Sequence, residues 1–126
     1  MSTVVTSQIT AIGPSAVMPN DPLIILFDQT ATPALKNVAV IQQFAQPKLM
    51  PKLVLAEGDQ IAFDDQHYTV AYVGNVANQN LQTIGHITLL FSPVPASDRL
   101  GNGVYLTATT KPTIHVGSQI AYYTEH

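Results

Sequence analysis

The chain of 126 residues contains no cysteine, which excludes disulfide staples, thiolate metal sites and a cysteine nucleophile. That composition fits a reducing compartment, and a cytoplasmic location is expected. Charge is scarce too: 10% of residues are charged and the formal net charge is -3. The five Lys and Arg residues are scattered between Lys36 and Lys111 without a basic cluster, so the electrostatic footprint of a nucleic-acid surface is missing. The longest apolar run, PLIILF at Pro22–Phe27, is far too short to cross a bilayer as a helix. The opening MSTVVTSQIT has neither a positive n-region nor a continuous apolar h-region and is not expected to be a signal peptide. No paired-histidine zinc motif, Gly-x-Ser-x-Gly elbow or phosphate-cradling glycine loop occurs, and GNG at Gly101–Gly103 is too short to count as one.

What the chain does have is a core. With 46% hydrophobic residues, it suits one domain over residues 1–126 that removes roughly two-thirds of its surface from water on folding. Short apolar segments separated by Pro, Gly, Asn and Asp predict strands at Val4–Ile12, Leu23–Phe27, Val38–Phe44, Gln60–Phe63, His67–Val73, Val104–Ala108, Thr113–Val116 and Gln119–Tyr123. The continuous run Leu23–Phe27 predicts a strand covered on both faces. NVANQNLQTI, Asn75–Ile84, breaks this pattern. Val76, Leu81 and Ile84 stand at near-helical spacing, Asn75 is placed to cap the start, and Gly85 to end the helix in a left-handed conformation. Ser92–Gly103 is polar, rich in turn formers, and reads as a long loop. These short strands with one helix and no strand–helix alternation argue against a doubly wound fold and leave a small closed barrel or a sandwich, between which periodicity does not choose.

The titratable candidates are the four histidines and Asp64-Asp65. Asp64 and Asp65 are adjacent and belong to a hairpin turn. His126 is the last residue, and His115 lies beside a Gly-Ser turn, as expected of a strand-edge histidine. His67 heads a strand after a turn. His86 lies in TIGHITLLF, Thr83–Phe91, between a helix end and a strand. A preceding helix C-terminus would direct its last carbonyls towards His86 and favour the imidazolium. A phosphoryl acceptor needs the opposite arrangement, with one ring nitrogen unprotonated and exposed and the other held by a hydrogen bond.

Several stretches together resemble the glucitol/sorbitol-specific IIA component of the bacterial phosphotransferase system (PTS). QITAIGPSAV (Gln8–Val17) and LIILF (Leu23–Phe27) are similar to that family's opening, and VGSQIAYY (Val116–Tyr123) to a closing strand. The longest match is VAYVGNVANQNLQTIGHITLLF, Val70–Phe91. The resemblance implies an all-β fold, a small closed β-barrel of complex topology with one short helix. It implies a cytosolic phosphocarrier that takes a phosphoryl group on a histidine from the histidine-containing phosphocarrier protein. The group then passes to the IIB/IIC sorbitol permease subunits, without metal or organic cofactor.

One departure divides the functional readings. In the family the histidine regarded as the acceptor follows an apolar strand in the N-terminal third. Here that strand is VAVI, Val38–Ile41, and the next residue is Gln42, whose amide has no comparable nucleophilic lone pair. A working carrier would therefore use another histidine, His86 first and His67 second. The alternative is a IIA-like binding or regulatory module that has lost phosphotransfer. With so few charges, partner recognition is expected to use an apolar patch with a polar rim, and a homodimer is compatible with the same composition.

Overall fold

Residues two apart on a strand face the same way, and in this chain one parity is apolar along nearly every strand. The computed structural model describes residues 3–19, 21–108 and 110–124. Eight strands are formed: β1 (Thr3–Ile12), β2 (Leu23–Phe27), β3 (Val40–Phe44), β4 (Gln60–Phe63), β5 (Gln66–Val73), β6 (Ile87–Leu90), β7 (Gly103–Leu106) and β8 (Gln119–Thr124). They close into a barrel in the order β1-β3-β2-β6-β7-β5-β4-β8, with β8 returning to β1. Closure resolves the choice between barrel and sandwich and removes exposed strand edges. The topology is complex because β2 pairs parallel with β3 and β6 with β7, while the other pairs are antiparallel.

The interior is filled by Val5, Ile9, Ile24, Leu26, Val40, Phe44, Ile61, Phe63, Val70, Ile87, Leu89, Val104, Leu106, Ile120 and Tyr122, all buried. Each large aliphatic side chain taken from water contributes about 1.5–3 kcal/mol, so this lining dominates stability. Outside the wall, Phe27, Ala31, Ala39 and Ile41 form a second buried cluster, with Ile25 and Ile84 packed against it. This cluster explains the unbroken LIILF run: Ile24 and Leu26 enter the barrel while Ile25 and Phe27 are covered from outside.

Some boundaries differ from expectation for identifiable reasons. The main helix α2 (Ala77–Ile84) begins after Val76, and Asn75 makes no capping bond. The amide of Val76 instead bonds Gly101 O at 3.0 Å, which ties the helix entrance to the loop before β7. A single helical turn, α1 (Pro33–Lys36), precedes it; Thr32 caps it and Pro33 starts it. The apolar spacing of PALK is too short to announce a helix. Val38 is exposed in the turn before β3. Thr113–Val116 is not a strand: Gln66 supplies the pairing from its side chain, with Oε1 accepting from Thr113 N and Nε2 donating to Thr113 O, both at 2.9 Å. Leu55 is held likewise by Asn78 of α2, which accepts from its amide at 2.8 Å and donates to its carbonyl at 3.0 Å.

Candidate functional site

β6 and β2 pair antiparallel with Leu26 opposite Ile87, so the next positions outward along the two strands are Phe27 and His86. Their rings meet with centroids 4.5 Å apart. The chain reaches His86 through Gly85, whose φ of +60 is the left-handed conformation expected at the helix end. There the amides of Gly85 and His86 turn back onto the carbonyls of Leu81, at 3.1 Å, and Asn80, at 3.3 Å. The Ile84 carbonyl accepts from Asp28 N at 3.1 Å and the Gly85 carbonyl from Gln42 Nε2 at 2.9 Å.

The Asn80, Leu81, Ile84 and Gly85 carbonyls thus accept from amide donors, and the His86 ring bonds to β2, where Nδ1 lies 3.0 Å from Leu26 O. A carbonyl oxygen only accepts, so Nδ1 carries the proton and, in the neutral ring, Nε2 carries the lone pair. Among the described residues Nε2 has no hydrogen-bond partner, and no partnerless side-chain nitrogen or oxygen is buried. On this half-buried residue Nε2 is therefore not wholly shut away from solvent. One nitrogen held and the other left unbonded is the arrangement that nucleophilic attack on phosphorus requires.

Gln42 lies on the other side of the wall. It is fully buried, at 0% exposure, and points into the barrel between Val40 and Phe44. Its Oε1 accepts from Ser7 Oγ at 2.7 Å and from Tyr122 OH at 2.6 Å. Burial, the largest influence, pushes the Tyr122 phenol up, so the hydroxyl stays protonated and remains a donor. With both hydroxyls directed at Oε1, the amide nitrogen faces Gly85 O.

The remaining candidates are placed apart from this cluster. His67 stands exposed on β5, its ring stacked on Tyr123 at a centroid distance of 5.8 Å, and among the described residues no hydrogen bond fixes its tautomer. His115 Nδ1 lies 3.0 Å from the carbonyl of its own neighbour Val116, in an exposed loop. His126 lies outside the described residues. Asp64 sits in the β4–β5 turn as expected, with φ +57, and accepts from Gln119 N at 2.9 Å. No group of three or more His, Asp or Glu side chains that could hold a metal ion occurs among the described residues.

Sequence reasoning missed Ser7 and Tyr122 as partners of Gln42. The signal was parity: Ser7 shares a face with Val5 and Ile9, Gln42 with Val40 and Phe44, and each is a polar residue in an otherwise apolar register. The Leu26 carbonyl as the partner of His86 left no such trace, because it depends on which strands pair.

A family model described as the PTS system glucitol/sorbitol-specific IIA component matches residues 4–121. The chain belongs to the glucitol/sorbitol-specific IIA family. The match runs from β1 into the first half of β8 and includes Gln42, His67 and His86. A PTS system glucitol/sorbitol-specific EIIA component of Escherichia coli (strain K12) is 28% identical over 123 residues, 97% of this chain and 96% of the relative. The crystal structure of a PTS system IIA component from Enterococcus faecalis V583 superposes with a TM-score of 0.89 at 42% identity, covering 94% of this chain and 99% of that one. IIA membership and the closed barrel thus agree. No helix among the described residues is long and apolar enough to cross a membrane.

Proposed function

We propose that this chain, as one domain over residues 1–126, is a cytoplasmic phosphocarrier of a glucitol/sorbitol-type sugar-alcohol PTS and that His86 Nε2 accepts the phosphoryl group. The observation that carries the reading is the His86 ring, bonded through Nδ1 to Leu26 O at 3.0 Å while Nε2 has no hydrogen-bond partner among the described residues. The Nε2 lone pair attacks the phosphorus of a phosphohistidine on the histidine-containing phosphocarrier protein. A new P–N bond forms, and the old one breaks with its electron pair returning to the donor ring, which leaves as neutral imidazole. The His86 ring keeps its Nδ1 proton and gains positive charge, and the Leu26 carbonyl bond strengthens with that charge. Transfer onward to the IIB/IIC permease subunits reverses the change: the P–N bond breaks with its electron pair returning to Nε2, and neutral imidazole, still protonated at Nδ1, is a good leaving group. The exchange uses no metal or organic cofactor.

A second reading is favoured by Gln42, which occupies the family's acceptor position with a group that cannot be phosphorylated as imidazole is. On that reading the barrel is a binding or regulatory module. One experiment separates the two: incubation with phosphoenolpyruvate, enzyme I and the phosphocarrier protein, followed by intact mass. The carrier reading expects one acid-labile phosphoryl group, lost in His86→Ala and kept in His67→Ala and His115→Ala. No gain in mass with active partners contradicts it and leaves the module.

A further inference from the structure

We propose that Gln42 is a positioning residue for His86, acting through the barrel wall by its hydrogen bond to the Gly85 carbonyl; the proposal rests on the reading of His86 as acceptor. Gly85 O and His86 N belong to the same peptide unit. Its oxygen is held at 2.9 Å by Gln42 Nε2 and its nitrogen donates to Asn80 O at 3.3 Å. With both ends held, the plane of that peptide is fixed, and with it the direction in which the His86 side chain leaves the backbone. From there the ring packs on Phe27 and meets Leu26 O on β2, and that carbonyl selects the Nδ1–H tautomer.

The hold on Gly85 is itself directional. A glutamine amide can turn over and exchange its oxygen and nitrogen, but here two hydroxyl donors, Ser7 Oγ and Tyr122 OH, converge on one atom. A reversed amide would aim its NH2 at both hydroxyls and its oxygen at the Gly85 carbonyl, setting two acceptors face to face. The three strands β1, β3 and β8 thus combine, through Ser7, Gln42 and Tyr122, to present one N–H to the turn before β6. A residue that cannot itself be phosphorylated therefore keeps a part in the reaction. A neutral histidine at this position could supply an N–H to Gly85 and, through the single lone pair of its other nitrogen, an acceptor to one of the two hydroxyls.

The test compares Gln42→Leu, Gln42→His and the parent chain by two readouts. The first is the imidazole 15N spectrum of His86 without any partner, which reports the tautomer. The second is the rate of phosphoryl uptake from the phosphocarrier protein. Gln42→Leu is expected to replace the single Nδ1–H tautomer with a mixture and to slow uptake roughly tenfold, since small displacements of a reacting group can cost up to about a hundredfold. Gln42→His is expected to restore the tautomer. If Gln42→Leu does not fold, Tyr122→Phe, which removes one of the two donors that orient the amide, should move the tautomer less but in the same direction. An unchanged tautomer in folded Gln42→Leu, or in Tyr122→Phe where Gln42→Leu does not fold, overturns the proposal. Phosphorylation that persists in His86→Ala instead overturns the acceptor reading, and the tautomer still reports whether Gln42 holds the turn.

Discussion

The Ser7 and Tyr122 hydroxyls share one acceptor, Gln42 Oε1, inside an otherwise apolar barrel. Removing either donor leaves the oxygen satisfied by the other, so Ser7→Ala or Tyr122→Phe should each cost about 1 kcal/mol through the lost hydrogen bond. The double variant strands a buried acceptor and should exceed the sum of the singles by at least about 0.5 kcal/mol. Urea denaturation of the four proteins closes the cycle, and strict additivity would contradict shared acceptance.

Gly85 turns the chain from α2 towards His86 at φ +60, and a Cβ there would lie 2.9 Å from the Cβ of Asp28. Gly85→Ala combines left-handed strain with that close approach and should destabilise the protein by at least about 1–2 kcal/mol. An unchanged denaturation midpoint would show that the turn tolerates a side chain and does not need glycine.

Asn78 substitutes for a neighbouring strand by bonding both the amide and the carbonyl of buried Leu55. Asn78→Ala leaves those backbone groups unpaired and should cost about 1–3 kcal/mol. Hydrogen exchange at the Leu55 amide should accelerate in the variant. Protection equal to the parent would mean that the clamp contributes little.

The Gln119 amide, followed by the Ser118 hydroxyl, holds the Asp64 carboxyl below its ordinary value of 3.8. A depressed value in the folded state gives stability that is present above the unfolded value and lost as pH falls through the folded one. The parent chain should therefore lose stability relative to Asp64→Asn on acidification below 3.8. Asparagine tolerates the φ of +57, so the turn itself is kept. Denaturation midpoints followed from neutral to acid pH check this, and parallel profiles for the two proteins would contradict it.

Much of the barrel was legible because strand parity and turn residues are local. Leu23–Phe27, Gln60–Phe63 and the Asp64-Asp65 turn stand where the sequence predicts them, and Gly85 ends α2 as expected. Thr113–Val116 misled because its backbone pairs with a side chain, Gln66, and no local pattern distinguishes that from a strand. Asn75 failed as a cap because Gly101 claims the helix entrance from 25 residues away, a contact only the closed barrel creates. His86 and Gln42 were both singled out from the sequence, His86 by its place in a long family pattern and Gln42 as a missing histidine. That the two are joined through one peptide unit depends on β3 reaching the end of α2, which periodicity does not encode.

The account turns on which atom of which residue carries phosphorus. After phosphorylation by phosphoenolpyruvate, enzyme I and the phosphocarrier protein, 15N NMR of histidine-labelled protein with 31P coupling reports this directly. The result expected is one phosphoryl group on Nε2 of His86, with Nδ1 still protonated. A phosphoryl group on Nδ1 of His86, on His67 or on any other histidine, or none at all, would contradict the account.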